Sequence, residues 1–327
     1  MLGFLIRRVL LALCVLFGFS FVSFCIVAWQ FPSPLKGQPV LAAYWRWLSG
    51  VPSGHSLAHG LYGPILPTLL SSLGHTLALL ALTLVLVVVL SVLLGTIAAA
   101  TRGSALDGLV RGVSYVTWAV PAFLLALIVQ EALAGLGSSH GLGPFQLAGW
   151  PGFCPASLGL NAGTLIPCQA AGSGLDYAFN VLSHVTLPAL ALAAAFVGLH
   201  SRYLRTSLSV ALDAPFTMTA RAKGLPERQV VLRHALRNSL ITFAASVLSD
   251  FGAIFGTALA IDWIFQLKGL GSLFIAELGV NNISGTYLSV DVYAVEALLL
   301  VTALLLLVSS VLSELAVVVL DPRAKPD

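Results

Sequence analysis

Charged side chains are scarce in this sequence. Only 9% of its 327 residues are Asp, Glu, Lys or Arg, whereas soluble domains carry roughly 25%. Hydrophobic residues make up 58% of the chain, and its mean hydropathy is +0.97. Because so few charges cannot cover a water-facing surface of this size, we expect lipid to be the solvent for most of the chain.

Several chemical signatures are absent as well. There is no Gly-x-x-x-x-Gly-Lys-Ser/Thr loop, so we do not expect this chain to bind ATP in the usual way. The four cysteines include no Cys-x-x-Cys pair, which argues against zinc and iron–sulfur sites. The sequence also offers no nucleophile–base set and no basic face on a polar domain. We therefore expect no catalytic residue, no metal, no cofactor and no nucleic-acid partner for this chain.

The apolar residues are gathered in six long runs. A helix satisfies its own backbone hydrogen bonds inside hydrocarbon, so each run of about 20 residues predicts one membrane-spanning helix. The runs lie at about 9–29, 75–100, 112–135, 181–202, 239–263 and 293–319. The predicted fold is therefore an all-α membrane protein with about six transmembrane helices.

The basic residues fix the orientation of these helices. If the six helices alternate in direction, all but three of the 16 Lys and Arg residues fall on one side of the membrane. Positive residues mark the cytoplasmic side, so both termini are expected in the cytoplasm. The outer side holds only Lys36, Arg46 and Lys268; the inner set is Arg7, Arg8, Arg102, Arg111, Arg202, Arg205, Arg221, Lys223, Arg228, Arg233, Arg237, Arg323 and Lys325.

The chain is expected to divide into three parts. Residues 1–74 would contain the first helix and a Pro-rich outer segment, residues 75–320 a five-helix core, and residues 321–327 a cytoplasmic tail. The core would include a cytoplasmic loop at about 203–238. An aromatic cluster in the outer segment, Tyr44, Trp45 and Trp47, is predicted to lie at the membrane interface.

Local signals in the cytoplasmic loop predict two helices joined by an elbow. Asp213 is a good N-cap, and Pro215 is tolerated in a first helical turn. Arg221 and Lys223 would complement the dipole of the last turn, and Gly224 can adopt the left-handed conformation that ends a helix. A short helix held below the membrane in this way has a suitable shape for docking into a groove of another protein.

The second helix of the loop is expected to begin at Pro226 and Glu227 and to continue through Val230 into the fifth membrane helix. Physics alone leaves an alternative open, because basic cytoplasmic loops are ordinary. This segment would then only satisfy the excess of positive charge on the inner side.

The segment from Asp213 to Asn238 resembles the EAA signature of ABC-importer permeases, and looks most like the oligopeptide/dipeptide branch. The resemblance rests on Ala220-Arg-Ala-Lys-Gly-Leu and Arg233-His-Ala-Leu-Arg-Asn, with the glycine correctly placed. The chain departs from the signature at Met218-Thr219-Ala220, where Glu-Ala-Ala would stand.

Other segments resemble the same branch along most of the chain. One of them departs from the family pattern, because Lys268 replaces a proline. The segments are Leu5-Ile-Arg-Arg-Val-Leu, His75-Thr-Leu, Gly95-Thr-Ile-Ala-Ala-Ala, Arg102-Gly-Ser-Ala-Leu-Asp, Pro121-Ala-Phe, Ile264-Phe-Gln-Leu-Lys-Gly-Leu-Gly and Asp321-Pro-Arg.

The resemblance implies the fold and partners of a type I importer. A second homologous permease would form a heterodimer with this chain, two ATPase subunits would carry ATP and Mg, and an extracytoplasmic binding protein would deliver di- or oligopeptides. The coupling residues carried over are Asp213, Ala214, Pro215, Phe216, Ala220, Arg221, Ala222, Lys223, Gly224 and Leu225. Glutathione, nickel or another small solute remains an alternative cargo, and a proton-coupled carrier using Asp250 remains an alternative mechanism.

Four residues within the apolar runs are singled out for the membrane region. Acids inside a membrane are costly, so Asp250 either lines the translocation path or makes a structural hydrogen bond to a neighbouring helix. Pro121 is predicted to kink the third helix, and it could also lie on the path. Gly252 and Gly256 form a small-x-x-x-small pair that predicts close helix packing, at the interface with a second permease in one interpretation.

The outer segments carry further candidates. Cys154 and Cys168 lie on the oxidising side, where a disulfide is favoured over two free thiols. His55 and His59 are spaced like metal ligands but lack a third, so a metal site is not expected. A set of acids near the outer mouth is interpreted mainly as solvated charges: Glu131, Asp262, Glu277, Asp291 and Glu296.

Overall fold

The computed structural model describes most of the chain. The described residues are 2–31, 37–51, 65–135, 141–142, 145–146, 148–151, 153–155, 165–167, 174–278 and 292–320. Almost all of these residues are helical, as the apolar runs predict. The helices before the first strands are α1 (Leu2–Gln30), α2 (Val40–Gly50), α3 (Ile65–Ala100), α4 (Ala105–Ala119) and α5 (Ala122–Gly135).

The later helices include a long membrane helix and the segments of the cytoplasmic loop. They are α6 (Leu175–Leu212), α7 (Pro215–Ala222), α8 (Glu227–Gln229), a π-helical turn (Val230–Ala235), α9 (Leu236–Ser249), α10 (Phe251–Phe265), α11 (Leu270–Glu277) and α12 (Val292–Leu320). The segment from Glu227 to Ser249 is continuous, which confirms that the second helix of the loop runs into the fifth membrane helix.

Two short β-hairpins lie in the segment between α5 and α6. Strands β1 (Gly141–Leu142) and β2 (Phe145–Gln146) pair antiparallel, as do β3 (Phe153–Pro155) and β4 (Leu165–Pro167). In the second hairpin the Cα of Cys154 lies opposite that of Ile166. Cys168 lies outside the described residues, so the disulfide between Cys154 and Cys168 stays a prediction.

The predicted number of membrane spans is confirmed when each bent pair of helices counts as one. Four helical segments are long and apolar enough to cross a bilayer: Arg7–Gln30, Ile65–Ala100, Leu175–Leu212 and Val292–Leu315. Two further spans are broken helices, α4 with α5 and the Glu227–Ser249 segment with α10. The second span, α3, begins at Ile65, about ten residues before its predicted start at 75. Pro67 falls in the first turn of this helix, where a missing N–H is tolerated.

Each break has a local cause. Helix α4 ends at a bend of 96° before α5, and the residue between them, Val120, is extended with φ −90° and ψ 124°. The proline that follows, Pro121, disfavours a helical conformation at the residue before it, so the predicted kink is confirmed. The second break bends by 49° at Asp250, whose φ is −89° and ψ 1°.

The chain forms two compact units, each with its own core. The first comprises 1–78, 130–185 and 258–311. Its core is aromatic: Tyr44 of α2 and Phe24 of α1 are fully buried, with ring centroids 5.3 Å apart, and Trp47 packs against them. Tyr44 and Trp47 therefore lie in the core, because α2 folds back on α1. Their position at the membrane interface stays a prediction. Trp45 remains exposed.

The second unit comprises 79–129, 186–257 and 312–327. Buried Leu204 of α6 packs with Phe243 and Val247 of α9, and Ala99 of α3 packs with Leu208 of α6. The whole cytoplasmic loop that carries the family signature belongs to this unit, so its contacts can be described within one compact body.

Candidate functional site

The junction between α6 and α7 differs from the prediction at its first residue. Asp213 does not cap α7; Ala214 occupies the N-cap position, with no side-chain hydrogen bond, and Pro215 is the first helical residue. The carboxylate of Asp213 instead accepts a hydrogen bond from Arg102 at 2.9 Å. The sequence cannot show this partner, because Arg102 lies 111 residues earlier in the chain.

A buried threonine secures the junction. The hydroxyl of Thr217 lies 3.1 Å from the carbonyl oxygen of Ala211, 3.0 Å from that of Leu212 and 2.6 Å from that of Ala214. These oxygens belong to the end of α6 and to the linker, where helix-end carbonyls lack a full set of intrahelical partners. The oxygen of Ala214 also accepts from the amides of Thr217 and Met218. The guanidinium of Arg221 also donates to the Leu212 oxygen at 3.0 Å. Helix α7 is thus fastened to the end of α6.

Helix α7 is amphipathic, with apolar side chains on its outward face. Thr217 and Ala220 are buried against the rest of the unit, whereas Phe216 is 44% exposed and Met218 is 56% exposed. Met218 stands at the position where the signature has its glutamate, so the structure places that position on the outward face. The outward face also carries the exposed residues Pro215, Ala222 and Lys223.

Gly224 forms the turn of the elbow, as predicted. Its φ is +77°, in the left-handed region. The amide of Leu225 donates to the carbonyl of Ala220 at 3.3 Å, and the amide of Gly224 donates to that of Arg221 at 2.9 Å. This pair of bonds is the Schellman arrangement, which satisfies the last carbonyls of a helix.

An ion pair closes the elbow on its other side. The guanidinium of Arg221 donates to both carboxylate oxygens of Glu227, at 3.0 and 2.6 Å. The negative charge of Glu227 stabilises the charged guanidinium and raises the pKa of Arg221 above its ordinary value. The two residues flank Gly224 in sequence, so the pair bridges α7 and α8, although its exposed side chains make it a modest restraint. The sequence predicts Arg221 as a helix-end cation and a coupling residue, and it does not predict this role of Glu227.

A π-helical turn follows the elbow at Val230–Ala235. Such turns are rare and are frequent at functional sites. Beside it lies an open cleft of about 280 Å³ between α7 and the start of α9. The cleft is lined by Phe216, His234, Arg237, Asn238 and Ile241. The lining thus includes a histidine and an arginine but no acidic residue.

Asp250 lies at the break between α9 and α10. Its side chain is 34% exposed, and its carboxylate lies 3.6 Å from Nε2 of His200, which is fully buried in α6. Nδ1 of the same imidazole lies 3.4 Å from the hydroxyl of Ser246. Asp250 thus has a neighbour on another helix and also an exposed face, so the structure leaves both predicted roles open.

Gly256 of the small-residue pair lies on the exposed face of α10, with open space where a side chain would be. Gly252 is half-buried on the same helix. Within the part of the chain that the structure describes, no helix packs closely against this face at Gly256.

Three of the acids predicted to be solvated are buried, so that interpretation is wrong for them. Glu296 accepts hydrogen bonds from Ser20 at 3.0 Å and from Ser23 at 2.9 Å. Glu277 is 4% exposed and Asp262 is fully buried. Only tertiary contacts reveal these environments. Glu131 is exposed as expected, and Asp291 lies outside the described residues.

Asp262 organises the turn between α10 and α11. Its two carboxylate oxygens accept hydrogen bonds from the amides of Gly269 and Ser272, each at 2.8 Å. The hydroxyl of Thr76 accepts from the amide of Leu270 at 2.9 Å. The start of α11 is therefore capped by side chains from two other segments of the same unit.

Within the described ranges, no group of three or more His, Cys, Asp or Glu side chains is arranged to hold a metal ion. The candidate pair His55 and His59 lies outside those ranges.

Comparisons with known proteins agree with the resemblance in the sequence. Residues 91–326 match the family model described as the inner membrane component of binding-protein-dependent transport systems. A Brucella suis biovar 1 (strain 1330) protein named as a peptide permease is 28% identical over 292 residues, which cover 88% of this chain and 81% of the relative.

Two further relatives have similar names. The oligopeptide transport system permease protein AppB of Bacillus subtilis (strain 168) is 24% identical over 359 residues, and the alignment covers 99% of this chain and 99% of the relative. The oligopeptide transport system permease protein OppB of Escherichia coli (strain K12) is 26% identical over 302 residues, covering 84% of this chain and 86% of the relative. A solved amino acid ABC transporter crystallised with histidines is 15% identical, with a TM-score of 0.46, over 77% of this chain and 93% of that one.

Proposed function

Because this chain belongs to the family of binding-protein-dependent transport system inner membrane components, we propose that it is the permease subunit of an ATP-driven importer of di- or oligopeptides. The chain is a multi-pass inner-membrane protein and a transport component rather than an enzyme. The peptide cargo is proposed from the names of its relatives, three of which are peptide or oligopeptide permeases that align over at least 84% of this chain.

One observation supports the coupling part of this proposal most strongly. Helix α7 holds Phe216 and Met218 in an exposed position, although it is anchored firmly by Thr217, Gly224 and the Arg221–Glu227 pair. A rigid helix with an apolar outward face suits docking into a groove of another protein. In this proposal α7 is the coupling helix, and the residues from Asp213 to Leu225 transmit motion.

The proposed assembly contains this chain, a second homologous permease, two ATPase subunits and an extracytoplasmic binding protein. ATP and Mg would bind to the ATPases and supply the free energy for their closure. Closure would draw the two coupling helices together and shift the permease pair from an inward-facing to an outward-facing packing. Such a change is a shift between two populations, driven by different affinities of the two states.

In the membrane region, Asp250 and Pro121 are proposed to lie on the translocation path. A carboxylate that is 34% exposed in the middle of a membrane helix would be very costly against lipid, so its exposed face suits a water-filled path. The small residues Gly252 and Gly256 are proposed to pack against the second permease, since the face at Gly256 is open in this chain.

Co-purification tests the proposal directly. A tagged copy of this chain, expressed in its native host and extracted in mild detergent, is expected to retain a second permease and two ATPases. Changing Phe216→Asp together with Met218→Asp places two charges on the outward face of α7, so the ATPases are expected to be lost while the second permease is retained. Thr206→Asp, an exposed change on α6, serves as the matched control and should keep all partners.

Uptake of a labelled tripeptide such as trialanine separates the candidate mechanisms. An ATP-driven peptide importer loses uptake when the catalytic glutamate of a partner ATPase is changed, and it keeps uptake in the presence of a protonophore as long as ATP is supplied. Loss of uptake with the protonophore alone would favour a proton-coupled carrier using Asp250. Retention of the ATPases by the doubly charged α7 variant would contradict the docking role.

A further inference from the structure

The first cytoplasmic loop, residues 101–104 between α3 and α4, contacts the junction between α6 and α7. Arg102 in this loop donates to the carboxylate of Asp213, the residue just before the linker to α7, at 2.9 Å. Both side chains are largely exposed, at 60% and 69%. This contact connects the loop to the start of the coupling segment, although an exposed pair alone is a weak restraint.

A buried carboxylate forms the stronger connection. Asp107, in the first turn of α4, is 1% exposed, and it accepts hydrogen bonds from Nε of Arg205 at 2.6 Å and from Nη2 at 2.8 Å. Its second oxygen also accepts from the amide of Gly103 at 3.1 Å. The Asp107 amide donates to the hydroxyl of Ser104, which caps α4. One side chain thus holds the loop, the start of α4 and helix α6 together.

Above this clamp, α4 and α6 are packed with almost no space between them. A Cβ on Gly198 of α6 would lie 2.6 Å from the carbonyl oxygen of Ser114 and 2.5 Å from the hydroxyl of Thr117, both in α4. The guanidinium of Arg202 lies over the rings of Tyr115 and Trp118, at 4.6 and 5.1 Å from their centroids. The two helices therefore meet along several turns.

These contacts form a continuous path from the coupling helix to the third membrane span. Helix α7 is fastened to α6 through Thr217, α6 is clamped to α4 through Arg205 and Asp107, and α4 continues through the bend at Pro121 into α5. We infer that Asp107 is a positioning residue that makes the first cytoplasmic loop and α4 move with the coupling helix as one body. This inference rests on the proposed function, because it concerns how ATPase motion reaches the membrane helices.

The change Asp107→Asn tests the clamp with little change in shape. Asparagine keeps an oxygen acceptor but removes the charge and the second acceptor for the guanidinium of Arg205. The readout is the stimulation of ATPase activity by the cognate binding protein in proteoliposomes, because this signal must cross from the outer face to α7. Stimulation is expected to fall by about fivefold or more, while basal ATPase activity and the yield of intact complex stay close to those of the wild type.

The matched control is Arg228→Gln, which removes an exposed charge from the second arm of the elbow and is expected to leave stimulation unchanged. Unchanged stimulation in Asp107→Asn would overturn the inference. A parallel fall of stimulation, basal activity and complex yield would also overturn it, since that pattern indicates a purely structural role.

A second experiment leaves Asp107 intact. The double variant Arg102→Cys with Asp213→Cys is joined by a short bifunctional maleimide, and each single variant treated with the same reagent is the control. If the loop and the junction between α6 and α7 move as one body, the stimulated ATPase activity of the double variant is the same before and after linking. Loss of stimulation only in the linked double variant would show relative motion and overturn the inference.

The results would differ if the proposed function, and not only the positioning role of Asp107, were wrong. In that case the wild-type chain would retain no ATPase, and no stimulation would exist to be lost. Normal stimulation in the wild type together with normal stimulation in Asp107→Asn would contradict only the positioning role.

Discussion

At the scale of single residues, backbone conformation explains two positions where the family signature is informative. Gly224 matches the signature and has φ +77°, whereas Lys268 replaces a family proline and has φ +59°. Proline is fixed near −65°, so the local backbone at 268 is incompatible with the family residue. The match to the family at Gly224 and the departure from it at Lys268 therefore both have a reason in the backbone geometry.

Gly224→Val tests the elbow at this scale. A side chain at Gly224 would meet no other atom within 4 Å, so the penalty is conformational and not steric crowding. A residue with a Cβ pays about 1–2 kcal/mol in the left-handed region, and a β-branched residue pays more. We expect Gly224→Val to abolish transport while leaving membrane insertion intact, as measured by solute uptake and by protein level in the membrane fraction.

Gly224→Asn is the matched control, because asparagine tolerates the left-handed conformation better than other residues with a side chain. It should retain a substantial share of uptake. Normal uptake in Gly224→Val would count against a coupling role for the elbow.

At the scale of elements, the sequence predicted what depends on local periodicity and missed what depends on distant partners. The six apolar runs, the kink at Pro121 and the turn at Gly224 follow from side-chain type and spacing, and all three are present. The cap at Asp213 was predicted wrongly, because Arg102 competes for its carboxylate. The burial of Asp262 could not be anticipated, because its hydrogen-bond donors are backbone amides brought near by the turn after α10.

Two variants at Lys268 test the hydrogen bonds of the turn between α10 and α11. Lys268→Pro would force φ away from +59° and disturb the amide of Gly269, which donates to the buried carboxylate of Asp262. Loss of that donor in a buried place costs about 1–3 kcal/mol, so we expect a clearly lower midpoint of thermal unfolding in detergent. Lys268→Gly accepts the same φ and should unfold within a few degrees of the wild type. Equal midpoints for the two variants would contradict this account of the turn.

At the scale of the whole molecule, α10 has an open face that suits the proposed packing against a second permease. Gly256 is exposed and no atom lies within 4 Å of the position of a Cβ. A larger side chain therefore fits in the isolated chain but would separate two closely packed helices. We expect Gly256→Leu to insert and fold normally yet to retain much less of the second permease on co-purification.

Gly18→Leu provides the control for that experiment. Gly18 is also exposed on a membrane helix, α1, and has open space around it. The change should leave the permease pair intact, since α1 carries no predicted interface. Equal retention of the second permease by both variants would place the interface elsewhere.

The outward face of α7 also has a consequence before assembly. A newly made copy without the proposed ATPase partner exposes Phe216 and Met218 to water. Exposed apolar surface of this kind promotes aggregation and attracts chaperones. In the proposed assembly, an orphan subunit would therefore be at risk of degradation until an ATPase covers this face.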